Sequence, residues 1–89
     1  MYIIRYDKRV ESDLRSVSEQ FQKQIRQAIE EKLIPSAEIF GKPLRHSLYG
    51  LRSLRVGDYR VIYTIEKSTV TIYLISHRSV AYKKILKRL

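Results

Sequence analysis

Apolar residues recur at steps of three and four from Val10 to Leu33, and from Leu51 onward they recur at steps of two. The first pattern predicts helices and the second predicts strands. Ahead of both, Tyr2–Tyr6 (YIIRY) reads as a short strand, rich in β-branched and aromatic residues. Asp7 can cap a helix over 8–17 that carries Val10, Leu14 and Val17 on one side. Ser18 opens a second helix with Phe21, Ile25, Ala28, Ile29 and Leu33 as its stripe. Pro35 ends it, or restarts it as a short turn through Phe40. The two helices, joined almost directly, predict an αα-hairpin. GKPL (Gly41–Leu44) is a loop signal.

Gly57-Asp58 suits a two-residue hairpin turn with glycine first. That turn pairs Val56 with Tyr59, Arg55 with Arg60, and Leu54 with Val61. One face then carries Leu54, Val56, Tyr59, Val61, Tyr63 and Ile65 and is the seat for the helices. The other carries Arg55, Arg60 and Ile62. A second turn near Lys67-Ser68 returns the chain as Val70–Ser76. Strict alternation puts Val70, Ile72 and Leu74 on the helix face, and Thr71, Tyr73, Ile75 and His77 with Arg60. RSVAYKKILKRL, from Arg78 to Leu89, reads as a C-terminal helix. The expected fold is α+β in the order β-α-α-β-β-β-α. It is a small, mostly antiparallel sheet with the helical hairpin packed on one face, in a single domain over 1–89. There are no internal repeats, low-complexity segments or linkers.

Charge sharpens this picture. Residues 1–38 hold seven basic and seven acidic side chains, while residues 39–89 hold eleven basic against Asp58 and Glu66, so the second half carries the whole +9. Such segregation points to nucleic acid, an acidic protein partner, or both; solubility alone does not require it. With no cysteine, disulfides and thiol chemistry are excluded, and two histidines make no zinc site, so no metal or cofactor is expected. Apolar runs are too short for a membrane span, and Arg5, Asp7 and Lys8 interrupt any leader. A cytoplasmic domain that makes no use of a membrane fits best.

The register gathers Arg55, Arg60, His77, Arg78 and Tyr82 at one end of a sheet face that the hairpin helices leave uncovered. Arginines directly opposed on a hairpin repel, by about 0.2–1 kcal/mol. They read either as splayed into water or as halves of a polyanion site, where a phosphate turns repulsion into bidentate attraction. His77 reads as a proton-transfer group or as a plain strand-end residue. Tyr82 reads as a base-stacking or proton-moving group, or as packing on its own helix. Lys83, Lys84, Lys87 and Arg88 read as a solvated helix face or as a phosphate track. His46 has no assigned role.

KPLRHSLYGLRSLRVGDYRVIY (Lys42–Tyr63) and ISHRSVAY (Ile75–Tyr82) resemble the RelE/ParE superfamily of bacterial toxins from toxin–antitoxin modules. The likeness in element order covers nearly the whole chain. RelE-like members cut mRNA in the ribosomal A site, and ParE-like members bind DNA gyrase. His77-Arg78 followed by Tyr82 looks like the RelE-like side. The resemblance implies that Arg60 stabilises the transition state, Arg78 contacts the phosphate, Tyr82 stacks on or orients the nucleotide, and Arg55 belongs to the basic strand. It implies metal-independent attack of the RNA's own 2′-OH on the adjacent phosphate. The implied partners are a cognate antitoxin, the ribosome and its mRNA, with operator DNA met only through the antitoxin complex. The best-known RelE pattern has lysines where this chain has Ser53 and, nearby, Leu51. Their place in proton transfer falls to Arg45, Arg52 or His77, and Arg45, Arg52, Arg55, Lys83 and Lys84 are the expected RNA contacts. The alternatives are a ParE-like gyrase inhibitor, or a non-catalytic member that binds antitoxin and operator.

Overall fold

The computed structural model describes all residues, Met1–Leu89. The elements follow as β1 (Ile3–Tyr6), α1 (Val10–Arg15), α2 (Glu19–Ala28), α3 (Ile34–Phe40), β2 (Lys42–Pro43), β3 (Arg52–Val56), β4 (Tyr59–Glu66), β5 (Thr69–His77) and α4 (Ala81–Arg88). α1 is shorter than the expected 8–17 and its N-cap is Arg9, with no side-chain cap; Asp7 instead holds the turn ahead of it, its Oδ1 accepting the Arg9 backbone N–H at 2.9 Å and the Arg9 side chain at 2.8 Å. Those bonds hold the Asp7 carboxyl at about 2, below its ordinary value. Of the two outcomes open at Pro35, the restart occurs: after a π-helical turn, Ile29–Leu33, the chain continues as α3 with the proline in its first turn, breaks from helical geometry at Ser36 (φ −152°, ψ 47°), and runs on to Phe40. Gly41 closes the segment because a Cβ there would collide with Tyr63, whose hydroxyl donates to the Ala37 carbonyl at 2.8 Å.

The sheet order is β1-β5-β4-β3-β2, with β1 parallel to β5 and the other pairs antiparallel. The α+β layout therefore holds, with one addition. Lys42–Pro43, inside the segment that signalled a loop, pairs with β3 as a two-residue edge strand. The β3–β4 hairpin has the expected register: Val56 opposite Tyr59, Arg55 opposite Arg60, Leu54 opposite Val61. Gly57 turns it at φ +59°, a conformation glycine adopts at little cost.

The β4–β5 hairpin departs from strict alternation. Ile62 faces Leu74 and Tyr63 faces Ile72, so Tyr73 is an extra residue in a β-bulge. Val70 and Ile72 stay on the helix face as expected, but beyond the bulge the faces exchange. Ile75, not Leu74, enters the main core with Val10, Ile25, Leu33, Val61 and Tyr63. Leu74 joins Ile62, Leu51, Ala81 and Ile85 in a second core on the opposite face. That face is consequently not open along its length, because α4 lies across its middle.

The bulge also explains the end of the chain. β1 pairs with β5 only through Ile72, which leaves the later edge of β5 without a strand. Asp13 Oδ2 accepts the Ile75 N–H at 3.1 Å, and Arg88 donates to the Tyr73 carbonyl at 2.7 Å. The two side chains then bind each other at both carboxylate oxygens. Arg88, read from the sequence as part of a solvated face or a phosphate track, is only 18% exposed at its side chain and is part of this clasp. No helix is long and apolar enough to cross a membrane.

Candidate nucleic-acid interface

What remains open on the α4 face is its end beside the β3–β4 turn. Arg60 comes from β4 and stands opposite Ser76 on β5. Its guanidinium carbon lies 5.8 Å from the centre of the Tyr82 ring, within cation–π range. Its only hydrogen bond is a long one, Nη1 to Ser53 Oγ at 3.5 Å. Its Nε is buried without an acceptor, and Arg60 takes part in none of the ion pairs. A half-buried guanidinium with no carboxylate partner can accept an anion at its terminal nitrogens.

Arg55 avoids a direct clash with Arg60 through its own turn, where its Nε donates to the Gly57 carbonyl at 2.9 Å. It stays exposed at the rim. Arg78 follows β5 at the same end: its backbone N–H donates to the Asp58 carbonyl at 2.7 Å and its Nε lies 3.6 Å from Asp58 Oδ1. That pair is solvent-exposed on both sides, so it is a weak hold that a phosphate can displace. Tyr82, from the first turn of α4, completes the group and is partly exposed. Tyr82 thus lies against Arg60, Arg55 stands opposite Arg60 on β3, and Arg78 lies at the same end beside Asp58.

The other candidates are placed elsewhere. His77, expected on the Arg60 face, is turned by the bulge onto the helix side, where its ring meets Tyr59 edge-on at 5.6 Å. Arg52 also points to the helix side and is already engaged. It donates to the Glu38 and Gly41 carbonyls at 2.8 and 2.6 Å, closing the end of α3. Beside it, burial pushes the Tyr63 phenol up and the Arg52 hydrogen bond partly offsets that rise. Arg45 is exposed in the loop after β2. Lys83 and Lys84 are exposed along α4. None of the three residues offered for proton transfer is presented at Arg60. The positions where the resemblance implies lysines, Ser53 and Leu51, are buried on the α4 face.

Two participants escaped the sequence reading. Ser53 sits on the Arg60 face by parity with Arg55, a signal present in the alternation. Asp58 meets Arg78 only because β5 returns beside the first turn, and no local pattern carries that.

The family model described as the ParE toxin of type II toxin–antitoxin systems matches residues 4–82. Toxin RelE of Mycobacterium tuberculosis is 45% identical over 53 residues, 57% of this chain and 55% of that protein. The chain thus spans about half the length of this curated relative. The crystal structure of the RelBE2 toxin–antitoxin complex from the same organism is similar at a TM-score of 0.81 and 30% identity, over 86% of this chain and 98% of that one. The RelB–RelE complex from Methanococcus jannaschii is similar in fold, with a TM-score of 0.70 at 23% identity over 90% of this chain and 96% of that one.

Proposed function

The chain belongs to the family of ParE toxins of type II toxin–antitoxin systems, and on that premise we propose that it is a RelE-like toxin that cleaves mRNA on the ribosome and is held inactive by a cognate antitoxin. The observation that carries the nuclease reading is Arg60, a half-buried cation with no carboxylate partner, set against the Tyr82 ring. Arg78 and Arg55 stand at the same end, and Tyr82 lies against Arg60. The reaction is attack of the 2′-OH on the adjacent phosphorus. The O2′–P bond forms, the P–O5′ bond breaks, the 2′ proton leaves, and a proton is added at O5′. The products are a 2′,3′-cyclic phosphate and a free 5′-OH.

Arg60 and Arg78 hold the non-bridging oxygens as charge builds on them, a contribution of about 2.7–4 kcal/mol per well-placed donor. Tyr82 positions the Arg60 guanidinium and offers its ring to a base. With no lysine at Ser53 or Leu51, the site relies on charge and alignment, and the ribosome supplies the alignment of the strand. The antitoxin reading draws on structural neighbours that are toxin–antitoxin complexes, RelBE2 and RelB–RelE, and on the segregated positive charge. Operator DNA is met through that complex.

One observation favours a second reading. Ser53 and Leu51 are sealed under α4 where the RelE pattern has lysines, which suits a ParE-like inhibitor of DNA gyrase that has dispensed with the nuclease. The deciding experiment maps mRNA cleavage on programmed ribosomes with purified protein, with gyrase supercoiling in parallel. Cleavage abolished by Arg60→Ala in a folded protein supports the nuclease. Slowed supercoiling without cleavage replaces it with the gyrase reading.

A further inference from the structure

His77 and Lys84 have no task at Arg60, yet they meet each other's neighbourhood. Between α1 and α4, across the strandless edge of β5, lies a slot of about 280 Å³. Ser12 of α1 and Ser16 just past its end line it from one side, Tyr59 and His77 from the sheet, and Lys84 from α4. Its one carboxylate is Asp13, which is already neutralised by Arg88 and occupied by the Ile75 N–H. Lys84 takes part in no ion pair. His77 Nδ1 receives the Ser79 N–H at 3.2 Å and lies 2.8 Å from the Ser79 hydroxyl. In the neutral ring this places the proton on Nε2, which has no protein partner and remains free to donate.

The slot therefore offers an ammonium, an imidazole N–H and hydroxyl groups, with no free carboxylate to oppose an anion. Those are the donors that bind phosphate oxygens. Its place follows from the same backbone that builds the Arg60 site. Ser76 stands opposite Arg60 and His77 is the next residue. Tyr82 and Lys84 are two positions apart on α4, so they leave opposite sides of the helix, one toward Arg60 and one into the slot. A strand held at Arg60 that crosses the N-terminal turn of α4 arrives at the slot.

We propose that this slot is a second phosphate-binding subsite, taking a phosphodiester of the RNA strand next to the one held at Arg60 and Arg78. The assignment rests on the RNA reading above and gives His77 a binding role in place of proton transfer at the scissile phosphate.

Two measurements test it. In NMR titrations with inorganic phosphate, the His77 ring and Ser16 amide signals are expected to move in the parent and in Arg60→Ala, and to stay still in Lys84→Ala. In salt-dependent binding of a 2′-deoxy oligonucleotide, Lys84→Ala is expected to weaken binding five- to tenfold. It should also lower the slope of log K against log salt by about 0.7, the value for one phosphate contact on a single strand. Lys87→Ala, on the same helix but outside the slot, controls for charge alone and should leave slope and affinity nearer the parent. If phosphate leaves His77 and Ser16 unmoved, or if Lys84→Ala and Lys87→Ala behave alike, the subsite is overturned even when mRNA is cleaved. If phosphate shifts His77 through Lys84 while ribosome-bound mRNA stays intact, the subsite stands and the nuclease reading falls.

Discussion

Replacing Arg88 by methionine keeps the aliphatic length of the side chain and removes its charge. In the parent, Arg88 bonds to both oxygens of Asp13 and to the Tyr73 carbonyl. The Asp13 side chain is 9% exposed, so the variant leaves a nearly buried carboxylate with only the Ile75 N–H. Breaking one half of a buried pair costs about 3–5 kcal/mol. The clasp lies at the sheet edge, where water can reach the Tyr73 carbonyl, so the lower end, about 3 kcal/mol, is expected. In a domain of this size each kcal/mol moves the thermal midpoint by about 4–8 °C, so Arg88→Met should lower it by roughly 12–24 °C. Because α4 carries Tyr82, cleavage should also fall at temperatures well below unfolding. The assay is thermal and urea denaturation of Arg88→Met, Asp13→Asn and the double variant. The double variant should cost clearly less than the two single costs added together, because neutralising both partners leaves no orphaned charge. A midpoint shift of only a degree or two in Arg88→Met, or strict additivity, would refute the clasp.

Arg60→Ala should remove most cleavage while leaving the thermal midpoint nearly unchanged, since Arg60 makes one long hydrogen bond and no ion pair; circular dichroism and ribosome-bound mRNA cleavage check the two halves. Ile72→Ala, in the main core, should cost about 2–5 kcal/mol by urea denaturation, and Ile75→Ala a comparable amount because the bulge turns Ile75 inward. Gly41→Ala should destabilise by about 1–3 kcal/mol, and Tyr63→Phe should not rescue it, because ring carbons as well as the hydroxyl occupy the space. Asp7 binds its proton less tightly folded (about 2) than unfolded (3.8), so its contribution to stability is complete above pH 4 and lost as the pH falls toward 2. Asp7→Asn should flatten that limb of the stability–pH curve, and an unchanged limb would contradict the assignment.

The local elements and the first hairpin were legible because their causes are local. Ser18 and the 3–4 spacing of Phe21 to Leu33 make one amphipathic helix, and a glycine turn places Arg55 opposite Arg60. The face of β5 beyond Ile72 was not legible. Val70, Ile72, Tyr73, Leu74 and Ile75 are all apolar, so the alternation carries no phase there, and a single extra residue at Tyr73 exchanges the faces. That exchange turns His77 from Arg60 toward the slot beside α1 and puts Leu74 under α4. Arg88 shows the same limit from the other end. Its spacing within α4 is that of a solvated residue, and only the tertiary approach of α1 brings Asp13 to it across the unpaired edge of β5. Sequence determines what a segment's own periodicity and turn chemistry dictate. Tertiary structure decides which face a wholly apolar strand presents and which distant charge satisfies its bare backbone groups, because both depend on partners that no local pattern encodes.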